Sequence, residues 1–202
     1  MEIVLATRNA KKVEEMNRIL GGMDITILSL DAFPSCPEVE EDRDSFEGNA
    51  VKKALTVARH TGKATMADDS GLEVDALNGA PGVLSARYAG EAATDADNVA
   101  KLLREMEEVP GDRRSARFRC CIALAVPGVE GSPERVETFS GAVEGRIGRE
   151  PRGKKGFGYD PLFYPEGYEM TFAEMPAHEK DGLSHRGNAL AGLKDYLKNH
   201  RP

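Results

Sequence analysis

A chain of 202 residues, 40% hydrophobic and 30% charged, is long enough for a single domain, 1–202, with a sizeable core. Its net charge of −7 excludes the broad basic surface of a general nucleic-acid binder, so an anionic ligand needs locally gathered cations or a metal. Cys36, Cys120 and Cys121 lack CxxC spacing, which fits a reducing cytosol and neither a disulfide framework nor a zinc site. Glu2 and Arg8 interrupt the N-terminus, so no signal peptide is expected. The longest apolar run, Cys120 to Val126, is too short to span a membrane.

Ile3 to Ala6 reads as a buried strand that stops at Thr7-Arg8-Asn9. Val13, Met16, Ile19 and Leu20 then recur at helical spacing up to Gly21-Gly22. Asn9 suits the N-cap, and Lys12 falls in the first turn. Free amides and the positive dipole end make such a turn an anion site, although taken alone it reads more simply as a capped helix with solvated lysines. Ile25 to Leu30 reads as a second strand. From Asp31 to Asp44 there are two prolines and a cluster of acids, Glu38, Glu40, Glu41, Asp42 and Asp44. This loop is either simply solvated or carries a metal ligand, Glu40 or Glu41. Asp44 is expected to cap the next helix, with Glu47 three residues on, close to a capping box. Ala50, Ala54, Leu55 and Ala58 line that helix's buried face, and Gly62 closes it.

The chain is organised around Ala67-Asp68-Asp69-Ser70-Gly71-Leu72. Leu72, Val74 and Ala76 follow at strand spacing, which predicts a tight turn at the acidic pair with a new strand starting behind it. Adjacent carboxylates repel and are favoured by a cation between or beside them. An Asp-Ser-Gly turn that serves no function remains the alternative.

Asn78-Gly79-Ala80-Pro81-Gly82 is a loop by composition, and Ser85-Ala86-Arg87-Tyr88 is ambiguous. Thr94 opens a helix with the apolar stripe Val99, Leu102, Leu103, Met106. Arg117 to Val126 is the most strand-like run. Arg135 to Ser140 is its expected partner across the Pro127-to-Pro133 loop, and Gly141 to Gly148 continues extended. Arg152 to Pro161 is a glycine-rich basic loop with two aromatics. Its Phe157 either stacks a base beside a phosphate chain or folds back into the core. The last helix runs from about His185 to His200. Its start carries His185 and Arg186, with Lys180 just before, and cations there oppose the helix dipole unless an anion or acceptor compensates. Strands and helices interleave without a linker, which predicts an α/β fold.

Five stretches together resemble the non-canonical purine nucleoside triphosphate pyrophosphatases, the inosine triphosphate pyrophosphatase-like family. They are Thr7-Arg8-Asn9-Ala10-Lys11-Lys12; Ala67 to Leu72; Gly79 to Gly82 with Ser85 to Tyr88; Gly156-Phe157-Gly158-Tyr159-Asp160-Pro161; and Ser184-His185-Arg186-Gly187. They occur in order and span nearly the whole chain. The resemblance implies an elongated mixed β-sheet with flanking helices, two lobes around a central substrate cleft, and a cytoplasmic homodimer. It implies Mg²⁺-dependent hydrolysis of ITP, dITP and XTP to monophosphate and pyrophosphate, with no nucleic-acid or membrane partner. By the same resemblance Asp69 is the proton acceptor and a metal ligand, with Glu40 sharing the metal, although the motif is loose there and Glu41 could take its place. Thr7, Arg8, Asn9, Ala10, Lys11 and Lys12 bind the triphosphate, and Ser70 touches the substrate. Phe157, Gly158, Tyr159, Asp160, Lys180, His185 and Arg186 hold the base end. A nucleotide sensor without turnover, or a phosphatase acting through phospho-aspartate, are the rival readings.

Overall fold

The computed structural model describes residues 1–128 and 134–200, so part of the Pro127-to-Pro133 loop lies outside the described residues. The elements run β1 (Glu2–Leu5), α1 (Ala10–Leu20), β2 (Thr26–Ser29), α2 (Phe46–Thr61), β3 (Thr65–Val74), α3 (Asp95–Glu105), β4 (Ser115–Val126), β5 (Arg135–Ile147), β6 (Phe163–Pro165), α4 (Ala177–Leu183) and α5 (His185–Asn199). The strands form one mixed sheet in the order β2-β1-β3-β4-β5-β6. β1 is parallel to β2 and to β3, and β5 is antiparallel to β6. The interleaved α/β class expected from the sequence is therefore observed.

The chain packs as two compact units. Unit 1 comprises residues 1–69, 120–141 and 187–202, and unit 2 comprises 70–119 and 142–186. Every passage from one unit to the other falls inside β3, β4, β5 or α5, so no linker separates them.

In unit 1 the strand period of two sorts the core into two layers. Ile3, Leu5, Met66, Cys120, Ile122 and Leu124 pack with Met16 and Leu20 of α1 and with Ala189, Leu190, Leu193 and Leu197 of α5. Val4, Ala67, Cys121, Ala123 and Ala125 pack instead with Ala50, Ala54, Val57 and Ala58 of α2. Small residues on the second face let α2 lie close to the strands. The three cysteines are free and buried in these layers.

In unit 2 a single apolar cluster joins Leu72 and Val74 of β3, Val99, Leu102 and Met106 of α3, Phe118 of β4 and Val143 and Ile147 of β5. Tyr159, Phe163 and Phe172 belong to the same cluster. Arg117 of β4 points elsewhere and pairs with Asp75 and Glu144 at 2.8 and 3.0 Å. Buried Arg114 donates to the carbonyls of Met106, Ile147 and Gly148, tying the end of α3 to the end of β5.

Local signals behave as their chemistry predicts at most element ends. Thr94 and Asp97 form a reciprocal capping box on α3. Gly62 ends α2 in the left-handed conformation with φ of 65°. At α2 the N-cap is Ser45 and not Asp44, its Oγ accepting from the Gly48 amide at 3.1 Å. Ala76 sits in a short 3₁₀ turn after β3 and not in the strand.

Candidate active site

The largest departure from expectation lies at the acidic pair. Asp68 and Asp69 are interior residues of β3, which runs unbroken from Thr65 to Val74. Both are buried. Because neighbouring strand residues face opposite ways, the two carboxylates have different nearest cations. Asp68 continues the Met66 face, towards α1, where Lys12 Nζ lies 3.0 Å from its Oδ1. Asp69 continues the Ala67 face, towards α2. There Asn49 Nδ2 donates to its Oδ2 at 3.0 Å and Lys53 Nζ lies 3.4 Å from its Oδ1. Repulsion between adjacent acids is thus relieved by the pleat, with a separate helix supplying each counter-ion.

Asn49 and Lys53 were not singled out in the sequence. They stand four apart beside the Ala50–Ala54 stripe of α2, and a polar pair at helical spacing along a buried alanine face is the signal that identifies them. Asn49 also accepts the Arg43 amide through its Oδ1 at 2.9 Å, which ties the acidic loop to α2. Lys53 Nζ touches Glu41 Oε1 at 2.6 Å and the Asp68 carbonyl at 2.7 Å.

These neighbours set the ionisation of the pair. Burial pushes the Asp69 carboxyl above the usual carboxylate value, and Glu41 adds to this, outweighing the opposite pull of Lys53, Asn49 and Lys12. Burial alone would lower Lys53, but Asp69, Glu41 and Asp68 together hold it above its ordinary value.

Glu40 is the acid expected to share a metal with Asp69, but it is its neighbour Glu41 that directs its carboxylate to the Asp69–Lys53 group. Glu40 is exposed, and its backbone carbonyl accepts from Lys52 at 2.8 Å. Among the described residues no three His, Cys, Asp or Glu side chains form a cage for a metal. Two carboxylates and a backbone carbonyl do converge on one cationic centre, Lys53 Nζ. A hard oxygen set of this kind fits Mg²⁺, which usually takes one or two protein carboxylates and completes its shell with water and phosphate.

At the start of α1, Asn9 caps the helix by accepting the Lys11 and Lys12 amides at 3.0 and 3.3 Å, and its own amide donates to Thr7 Oγ1 at 3.1 Å. The amides expected to be free for an anion are therefore engaged in the turn itself. Lys12, half-buried, and the side-chain nitrogen of Asn9 are the groups this turn can offer. Arg8, Ala10 and Lys11 are exposed beside them.

Unit 2 gathers the second set of predicted residues. Asp160 Oδ2 accepts from the Phe157 amide at 2.9 Å and from Lys180 Nζ at 2.6 Å. Gly156 makes this possible: at φ of 74°, a Cβ there would lie 2.0 Å from the same carboxylate oxygen. Phe157 stays half-buried, outside the apolar cluster, with Lys180 Nζ and Arg186 Cζ 5.4 and 5.7 Å from its ring centre. Gly158 donates its amide to Asp95 Oδ2 at 2.9 Å, and buried Tyr159 donates its hydroxyl to the Ser85 carbonyl at 2.9 Å. Burial raises the Tyr159 phenol well above its ordinary value, so it stays protonated.

The residues at the start of α5 have partners of their own. Arg186 is 1% exposed and donates to Ser70 Oγ at 2.9 Å. His185 stacks on Phe118, rings 4.8 Å apart and 12° from parallel. Lys180 reaches Asp160 from α4, a separate short helix.

Comparison with known proteins gives the family of the chain. The model of the Ham1 family matches residues 3–196. A dITP/XTP pyrophosphatase of Geobacter sulfurreducens is 54% identical over 195 residues, covering 96% of each chain. One of Desulforamulus reducens is 53% identical over 197 residues, covering 98% of this chain and 96% of that one. The solved structure of a HAM1 protein from Coxiella burnetii superposes with a TM-score of 0.88 at 45% identity, covering 99% of this chain and 100% of that one.

Proposed function

Because the chain belongs to the Ham1 family, we propose that it hydrolyses non-canonical purine nucleoside triphosphates, namely ITP, dITP and XTP, to the monophosphate and pyrophosphate. The observation that carries the chemistry is the Asp69 carboxylate. It is buried, held in place by Asn49 and Lys53, and raised in pKa by burial, which makes it a stronger base than an ordinary carboxylate.

In this reading Asp69 takes a proton from water as the water attacks the α-phosphorus. Charge is the main obstacle to attack on a polyanion, so positioning and electrostatics supply most of the acceleration. Lys12 and Asn9, with Thr7 and the rest of the first turn, hold phosphate oxygens. Glu41 and Asp69 would hold Mg²⁺, whose charge neutralises the departing pyrophosphate. Asn49 fixes the orientation of the Asp69 carboxylate, so one oxygen stays committed while the other faces Lys53.

The base end falls to the groups of unit 2. Phe157 offers a flat ring for stacking, and Lys180 and Arg186 stand beside it as donors. Donors suit the 6-oxo group of hypoxanthine and xanthine. The 6-amino group of adenine would meet them donor to donor and leave a buried group unpaired. Arg186, with its rigid fork, is the stronger discriminator. The three free, buried cysteines suit the cytosol, and among the described residues no helix is long and apolar enough to cross a membrane. A homodimer belongs to the same proposal.

Hydrolysis of ITP in ¹⁸O-labelled water tests the reading by mass spectrometry. Label in IMP is the expected outcome. Labelled orthophosphate would make the protein a phosphohydrolase, and absence of turnover would make it a nucleotide sensor.

A further inference from the structure

Lys53 is a buried cation seated among oxygens that the proposed chemistry assigns to a metal. Its ammonium has three protons, and three oxygens surround it: Glu41 Oε1 at 2.6 Å, the Asp68 carbonyl at 2.7 Å and Asp69 Oδ1 at 3.4 Å. It reaches this position from the inner side of α2 and is 8% exposed. Lysine here does more than balance charge, because it takes the coordination directions as well. Lys12 is the cation in contact with Asp68, and Glu41 and Asp69 are the carboxylates that Lys53 contacts directly. Two carboxylates and one ammonium leave a single net negative charge, which is little attraction for a divalent ion that must shed water to bind.

We propose that Lys53 is a built-in counter-ion that competes with the divalent metal for Glu41 and Asp69, so that the metal enters only together with the triphosphate. The inference rests on the reading of those two acids as metal ligands. A polyphosphate brings both negative charge and oxygen ligands, and these tip the balance from ammonium to metal. Lys53 is then a positioning residue. It holds the carboxylates together when no substrate is bound, and it delays the metal until there is a leaving group to neutralise.

Mn²⁺ alone is the probe, its free concentration followed by electron paramagnetic resonance on the full chain. Lys53→Gln keeps a donor but removes the charge, and it should bind Mn²⁺ at least about tenfold tighter than wild type. Lys53→Arg restores the charge and should return the affinity close to that of wild type. With α,β-methylene ITP present, wild type should bind Mn²⁺ tightly without any substitution. Unchanged or weaker Mn²⁺ binding by folded Lys53→Gln would overturn the inference, because a purely structural lysine gives that result. Failure of wild type to bind Mn²⁺ even with the analogue would instead remove the metal reading beneath it. Wild type carries an independent check if Lys53→Gln does not fold. The ammonium signal of Lys53 in ¹H–¹⁵N spectra should shift or vanish when Mg²⁺ and the analogue are added together. A signal that stays in place as the metal binds refutes competition.

Discussion

Each unit contains a buried aspartate facing a buried lysine, and the two pairs work in opposite ways. In unit 2 the Asp160–Lys180 contact is tight, 2.6 Å, and the same Asp160 oxygen also accepts the Phe157 amide. Its carboxylate is spent on holding a glycine loop in shape, which leaves the cation and the Phe157 ring as the groups a ligand can meet. In unit 1 the Asp69–Lys53 contact is longer, 3.4 Å, and the lysine is shared with Glu41 and a carbonyl. That carboxylate has only a long, shared contact with its cation, and burial raises its pKa. A tight, exclusive ion pair organises structure, whereas a longer, shared one retains affinity for a proton or a metal.

The sharpest way to break this comparison is Asp69→Asn. Turnover should fall at least about a hundredfold, as expected when a general base is lost, with the ratio of ITP to XTP hydrolysis unchanged. Stability should move the other way. The folded environment raises the pKa of Asp69 above its unfolded value, so the native state favours the protonated form. Its ionisation therefore costs stability as pH rises from the unfolded pKa through the folded one. Asp69→Asn, which cannot ionise, should melt higher than wild type at pH 7, and that difference should vanish in acid. A variant that retains near wild-type kcat would assign the base to another acid.

Arg186→Ala tests the other side. Loss of one charged donor should narrow the kcat/KM preference for ITP over ATP by about ten- to a hundredfold. Equal losses on both substrates would make Arg186 a general structural residue, which its burial and its bond to Ser70 also permit. A smaller effect is expected from Lys12→Ala. Affinity for the triphosphate should drop about tenfold, as for removal of a charge-assisted contact, without change in base preference. If base preference changes while affinity holds, Lys12 does not serve the phosphates.

The subtlest prediction concerns pH. The acid limb of kcat/KM should lie above the ordinary aspartate value of about 3.9. Asn49→Leu removes a hydrogen bond that favours the ionised form, so the limb should move further up. A limb that stays put, or moves down, would show that Asn49 does not tune Asp69.

Much of this was legible in one dimension, for reasons that are local. Thr94 with Asp97, Asn9 and Gly62 mark helix ends because a cap is satisfied within three or four residues of chain. The start of α5 was identified because His185 and Arg186 stand where the dipole disfavours them, and they have partners in Phe118 and Ser70. The residues from Gly156 to Pro161 declare a loop by composition. Even so, the choice between Asp44 and Ser45 as a cap turned on one residue of register.

What the tertiary structure alone decided is where each side chain looks. The spacing after Gly71 suggests a turn at Asp68-Asp69, because a second apolar strand pattern starts there; the strand simply continues, and only its packing reveals that. Once it continues, the pleat sends Asp68 to α1 and Asp69 to α2, and chemistry that the sequence assigns to one acidic pair divides between two faces. Lys53 meets Glu41 across 12 residues and Asp69 across 16, separations at which no periodicity carries information. The choice of Glu41 over Glu40 beside Asp69 follows from the same packing, because which of two neighbouring loop acids turns inward depends on the lysine waiting there. Sequence determined most of the caps, the longer helices and the stock of charged groups, since those depend on near neighbours. Packing determined the pairing, since an ion pair forms between residues brought together by the burial of a core that neither of them belongs to.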